Sequence, residues 1–442
     1  MTKYAAILEL RRLQRFVIIW LGQFVSLVGS GLTSFAIDLW VYQQTGSVTQ
    51  YALIALFNIV PPILVSPVAG AFVDRWDQRR TMMLSDSGAA LATLFIALLF
   101  FSGHLQVWYI CAAISVISVC NVFHNLASTT AITLFVPKKH LGRASGIVQI
   151  GESLTELFIP ALAGILVLTI HMQGILLIDF VTYFFSLGIL LIVKFPKSKT
   201  TTTNTIEGYQ GIGWLKSDVI YSWNYISAYP GLLGLLLYFA ASNFIIGSIS
   251  ILLIPMLLTF VSSATAGSIL SIGGIGTLVG SLIMGVWGGP KRRVYGILGF
   301  GILLGVCIFL AGLRPSVTLI TIATFGGLLC FPLIAGCSQA LLLSKVAPNV
   351  QGRVFALQEM ISSSSLPFAY LFVGPLADYV FEPLLVSGGS LAGSIGRIIG
   401  VGAGRGIGLL FIVLGILQII VTIYSYLYRP LRLIDKQTTV EP

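Results

Sequence analysis

At 442 residues, with 56% hydrophobic and only 9% charged residues, the chain is too apolar for a water-soluble fold, where about a quarter of residues carry charge. Its mean hydropathy of +0.96 calls for lipid as solvent. The net charge of +10 does not point to nucleic acid, because the basic residues are scattered through short loops where they meet anionic headgroups.

A helix that crosses a hydrocarbon core of about 30 Å needs about 20 apolar residues. The apolar runs predict helices over 16–42, 48–73, 81–101, 106–136, 142–169 and 172–194. A second set is expected over 231–259, 264–287, 291–312, 316–346, 352–380 and 402–428. The first run follows Lys3, Arg11, Arg12 and Arg15 but is far longer than a signal-peptide core of about 7–15 residues, so it is expected to stay as a membrane helix. The polar stretch 195–230, with its threonines from Thr200 to Thr205, reads as a cytoplasmic linker between two halves, 1–194 and 231–442. Its second part, carrying Trp214, Leu215, Val219, Ile220 and Trp223, fits a short amphipathic helix at the interface.

Of the 25 lysines and arginines, 22 lie before the first run, after the last, or in alternate gaps, leaving Arg314, Arg397 and Arg405 for the other side. The positive-inside rule then predicts an even number of spans with both termini in the cytoplasm. The five cysteines (Cys111, Cys120, Cys307, Cys330, Cys337) all fall in apolar runs and are expected to be buried thiols. The halves repeat: Gly142-Arg143 recurs as Gly352-Arg353, Gly164 as Gly374, and Gly70 with its basic loop as Gly285 with Lys291, Arg292 and Arg293. Two six-helix repeats of the same orientation are the arrangement of a two-bundle transporter.

The loop after the second helix runs Gly70-Ala71-Phe72-Val73-Asp74-Arg75-Trp76-Asp77-Gln78-Arg79-Arg80. It resembles the loop between helices 2 and 3 of the major facilitator superfamily, with a glycine, an aspartate four residues on, and then arginines. The resemblance implies an all-α integral membrane protein, twelve transmembrane helices in two six-helix bundles. Physically, Gly70 permits close helix approach, and Asp74 with Arg75, Arg79 and Arg80 suits a conformational latch that pairs in one state only. Asp77 stands where the family often has glycine. Within the superfamily, the stretches Ala36-Ile37-Asp38-Leu39-Trp40-Val41-Tyr42 and Gly142-Arg143-Ala144-Ser145-Gly146 resemble the branch of bacterial macrolide and siderophore exporters. In the fifth helix, Pro160 and Gly164 match a glycine-proline motif of related drug antiporters, but Ile159 replaces a glycine.

Ionisable groups at membrane depth are costly and therefore functional candidates. Glu152 lies about 15 Å inside the cytoplasmic edge, with Glu156 one turn further on the same face. Two such carboxylates in a dry site favour sharing a proton, which a cationic substrate could displace. The alternative is hydrogen bonding to a neighbouring helix or a wet vestibule. Asp38 is given a supporting role, although it falls near an outer helix end. Asp86 and Glu359 are expected to pair with loop arginines, and Asp179 and Asp378 to lie near outer ends. Gln23, Asn58, Asn121, His124, Gln149 and Asn243 are cavity candidates, with polar contacts between helices as the equal alternative. The glycine run from Gly400 to Gly406 follows no predicted strand, so a phosphate role is not expected. No cofactor or metal motif is present in the sequence.

The expected function is secondary active transport: proton-coupled efflux of amphipathic small molecules, drug or macrolide-like, by alternating access of a monomer embedded in membrane lipids. Dedicated export of an endogenous metabolite, such as a siderophore, peptide product or lipid-like molecule, is the alternative. A channel, a membrane receptor or an intramembrane enzyme lacks a supporting motif. With the native cysteines replaced by serine, Asn204→Cys in the linker should react with an impermeant maleimide in inverted vesicles and stay unlabelled in intact cells. Labelling from outside would reverse the topology.

Overall fold

The computed structural model describes residues 3–73, 76–136, 141–193, 195, 229–345 and 351–434. Among them, twelve helices are long and apolar enough to cross a membrane, and no strand occurs. They are α1 (Lys3–Thr45), α2 (Val48–Val73), α3 (Gln78–Phe101), α4 (Val107–Phe135), α5 (Leu141–Thr169) and α6 (His171–Ile192), followed by α7 (Pro230–Leu258), α8 (Ser263–Trp287), α9 (Arg293–Leu313), α10 (Val317–Lys345), α11 (Gln351–Pro375) and α12 (Arg405–Leu427).

Two boundaries depart from the sequence expectation for local reasons. Helix α1 begins at Lys3 rather than 16, because residues 3–15 are nearly all good helix formers without glycine or proline. Helix α11 gives way at Pro375, which has no N–H to donate, to a π-helical turn Leu376–Phe381 and a short helix Glu382–Leu385. The expected amphipathic helix near 214–225 lies outside the described residues.

The chain divides into two compact units, Met1–Thr200 with Ser262–Ser271, and Thr201–Val261 with Ile272–Pro442. In the first, α1 packs on α5 and α6, and α3 on α4 and α6. In the second, α7 packs on α11 and α12, and α9 on α10 and α12. Each pairing recurs six helices later, so the repeat seen in the loops extends to the packing.

Small residues set how closely the helices approach. Between α9 and α12 two glycine pairs face each other, Gly305 with Gly415 and Gly312 with Gly408, and backbone atoms of each helix occupy the space a Cβ would need on the other. In the first unit Gly22 and Gly29 of α1 admit Ile189 and Thr182 of α6, while Gly31 receives Ile159 of α5. The glycine expected at position 159 has thus been exchanged for one on the neighbouring helix. Four cysteines are buried and Cys120 is half-buried, all as free thiols.

Gly415→Val would press a side chain onto the Phe309 backbone, whose N lies 2.5 Å from the added Cβ, and onto the Gly305 carbonyl oxygen at 2.9 Å. We expect it to destabilise the second unit by about 1–3 kcal/mol, measured as a lower melting temperature in detergent.

Candidate functional site

Helix α5 presents distinct faces. Gly151, Thr155, Ala163 and Gly164 are buried, with Gly151 packed on the stacked rings of Trp20 and Phe24. Ile150, Leu154, Phe158 and Ile165 form an exposed apolar face suited to lipid. Glu152 and Glu156 are exposed on a third face, about 160° around the helix from the centre of the apolar one at 100° per residue. The two acids therefore share one face, away from the side that fits hydrocarbon. Pro160 interrupts the backbone ladder just beyond them, and the Ala161 N–H donates to Ser271 Oγ at 3.2 Å. There, Cβ atoms on Gly164 and Gly267 would overlap the carbonyls of Ser263 and Pro160, so the backbones of α5 and the first turns of α8 touch directly.

A second ionisable cluster joins α1, α3 and α4. His124 Nδ1 lies 2.6 Å from Asp86 Oδ1, both side chains largely buried, and Gln23 Nε2 donates to Asp86 Oδ2 at 3.5 Å. Two cavity candidates are thus brought together by Asp86, a residue expected to meet loop arginines. Its partner is His124 instead. Asn58 and Asn121 are exposed on α2 and α4, and the side chain of Gln149 lies outside those described. Glu359 likewise has no described side chain.

Asp38 is half-buried in α1, with no hydrogen-bond partner among the described residues. Asp179 departs from the expectation of an outer-end position. It is 5% exposed, about 12 Å along α6 from His171, and accepts a 3.0 Å bond from Ser30 Oγ of α1. The close approach at Gly29 places this carboxyl against α1.

The second unit holds a cavity of about 490 Å³ walled by α7, α9, α10, α11 and α12. Four amides line it, Asn243, Gln339, Gln358 and Gln418, together with Tyr238 and four serines, and among the described residues none of the lining is charged. Of the expected cavity residues only Asn243 is here. The signal for the others lay in polar residues deep in apolar helices: Gln418 in α12 and the serine run Ser362-Ser363-Ser364-Ser365 in α11. Gln418 Nε2 donates to Ser242 Oγ at 3.2 Å, yet its Oε1 and the Ser362 Oγ are buried without hydrogen-bond partners among the described residues, each costing about 1–3 kcal/mol.

The glycine run before α12 forms a loop in which Gly400, Gly402 and Gly404 take positive φ of 97°, 128° and 77°. The N-terminus of α12 is filled by Glu382, whose carboxylate accepts from the N–H groups of Gly404 and Ile407 at 3.3 and 3.0 Å. A built-in carboxylate occupies the place an anion would take.

Residues 19–370 match the family model of the Major Facilitator Superfamily. The chain belongs to that superfamily. It is 26% identical to macrolide efflux protein A of Streptococcus pyogenes, over 83% of this chain and 90% of that protein. It is 23% identical to the multidrug efflux pump Tap of Mycolicibacterium fortuitum, over 79% and 86% respectively. In fold it is similar to an inward-facing, unoccupied bacterial homologue of the human lysosomal transporter Spinster, at 15% identity and a TM-score of 0.72, covering 98% of this chain and 99% of the other.

Within this superfamily transporter, the loop after α2 gains a structural explanation for its departing residue. Asp77 caps α3, accepting the Arg80 N–H at 2.9 Å, so an acid replaces the usual glycine by satisfying a free helix end. Arg79 donates to the carbonyls of Leu190 and Leu191 at 2.7 and 2.6 Å and caps the other end, that of α6. Gly70 lies in α2, while Asp74 and Arg75 lie outside the described residues.

A double-mutant cycle of Asp86→Asn and His124→Gln should give a coupling energy of about 0.5–3 kcal/mol in detergent unfolding. Additive effects would mean the contact contributes nothing.

Proposed function

We propose that this transporter exports amphipathic small molecules by alternating access, with proton entry through Glu152 and Glu156 driving release. The observation that carries the reading is the open acidic face of α5, separate from its apolar face. Charged groups facing hydrocarbon are strongly disfavoured, so two exposed carboxylates at this depth favour a water-filled or substrate-filled space. The membrane potential contributes about 2.3 kcal/mol per charge for each 100 mV. Asp38, half-buried and without a hydrogen-bond partner among the described residues, is a fitting third proton carrier. The names of the efflux relatives favour export of macrolide-like or multidrug cargo.

We assign the halves as 1–194 and 231–442 joined by the linker 195–230, with the Asp74 loop as latch, both termini in the cytoplasm of a bacterial inner membrane, and a monomer as the working unit. Dedicated export of one polar metabolite is favoured by a different observation, the uncharged hydrogen-bonding wall of the second unit's cavity.

In proteoliposomes with an imposed pH gradient and a panel that includes macrolides and cationic dyes, Glu152→Gln and Glu156→Gln should each reduce gradient-driven transport at least about tenfold, a loss of about 1.4 kcal/mol. Full proton-driven transport by both variants would overturn the coupling assignment.

A further inference from the structure

The cavity in the second unit has the chemistry of a selective site. Its walls come from five helices of that unit, and Ser242 lies about 18 Å along α7 from Pro230, near the depth at which transporters hold their cargo. At about 490 Å³ it is within the usual range for small-molecule sites. Amides both donate and accept, hydroxyls do the same, and no lining side chain among the described residues supplies a counter-charge. A buried cation or anion would find no opposite charge among them. A neutral molecule with several hydroxyl or carbonyl groups on an apolar frame would be matched on both counts, because Leu304, Phe331 and Leu366 supply the apolar wall.

The partners such a molecule would find are already poised. Ser362 is 4% exposed and Gln418 is 0% exposed; both residues belong to the cavity wall, and the Ser362 Oγ and Gln418 Oε1, buried without hydrogen-bond partners among the described residues, would meet a ligand after a side-chain rotation. Turning the Gln418 amide exchanges the unsatisfied oxygen for an unsatisfied N–H, so either orientation leaves one group seeking a partner. Gln358 and Asn243 are half-buried and accessible at the same walls.

We propose that this cavity is a binding site for uncharged, polyhydroxylated compounds such as a macrolactone or a glycoside, selecting the neutral part of the cargo by hydrogen bonds from Gln358, Ser362 and Gln418. This inference rests on the transport reading for its biological role, but not for its test, which is binding.

The experiment uses the full-length protein in phosphatidylcholine nanodiscs, with calorimetric titration of three probes. These are the neutral macrolactone erythronolide B, a monoglucosyl diacylglycerol delivered in mixed nanodiscs, and the cation tetraphenylphosphonium. We expect one or both neutral probes to bind, and which one does tells whether a macrocycle or a glycolipid headgroup fills the site. Gln358→Leu, at a half-buried position where folding is expected to survive, and Ser362→Ala should each weaken neutral-probe binding at least tenfold and leave tetraphenylphosphonium binding unchanged. Melting curves identify any variant that fails to fold, and Gln358→Leu then decides alone. Absence of neutral-probe binding, unchanged affinity in folded Gln358→Leu, or an equal loss for the cation would overturn the proposal. Neutral-probe binding with no gradient-driven transport would sink the transport reading and leave the site standing. Transport with unaltered affinity in the variants would do the reverse.

Discussion

A bilayer core offers no hydrogen-bond partners, and nearly every feature of this molecule answers to that constraint. It makes each span helical, since only a helix satisfies its own backbone. It also makes helix ends and proline breaks the vulnerable points, and these are closed by named groups: Asp77 at α3, Arg79 at α6, Ser271 at the Pro160 break and Glu382 at α12. With no hydrophobic drive between helices in lipid, close backbone approach takes over, as at Gly305 and Gly415. Polar side chains that remain uncompensated in such a solvent are few, so each carries information.

The two units use polar groups differently. In the first, acids sit along the helices, with Glu152 and Glu156 exposed on α5, Asp86 against His124, and Asp179 beside Ser30. In the second, the described residues that line the cavity are all neutral. The packing repeat at six-helix spacing shows that both were built to one plan, so the difference in chemistry lies in the side chains and not in the scaffold. The two proposed roles, proton handling and cargo recognition, would then be free to change independently.

Helix number and most boundaries were readable from the sequence because hydropathy over twenty residues is a strong signal, and the turns between runs are short. The capping of α3 by Asp77 was not read, although an aspartate three residues before a backbone N–H is a recognisable cap, because the position was compared with a family glycine. Asp86 was assigned to arginines on depth alone. Its real partner, 38 residues away on α4, depends on which faces of α3 and α4 meet, and helices apolar all round give no periodic signal for that. For the same reason the packing of Asp179 against Ser30 of α1 went unread. Asn243 was legible as a polar residue in an apolar run. Gln418 and the α11 serines carried the same signal and were passed over, since serine is common in membrane helices and returns its hydroxyl to the backbone, as Ser364 and Ser365 do.

The segment between α11 and α12 has its two ends fastened to each other. Glu382 reaches forward to the start of α12, and the Gly402 N–H returns to the Leu385 carbonyl at 3.0 Å. These stitches close a pouch around residues 386–401, and Leu391, Ile395 and Ile399 inside it add an apolar plug against Leu385, Leu409 and Ile412. Natural variation, or an inserted epitope, can therefore accumulate near Gly393, where a Cβ would meet open space, while Gly388, at a φ of 89°, stays reserved for glycine.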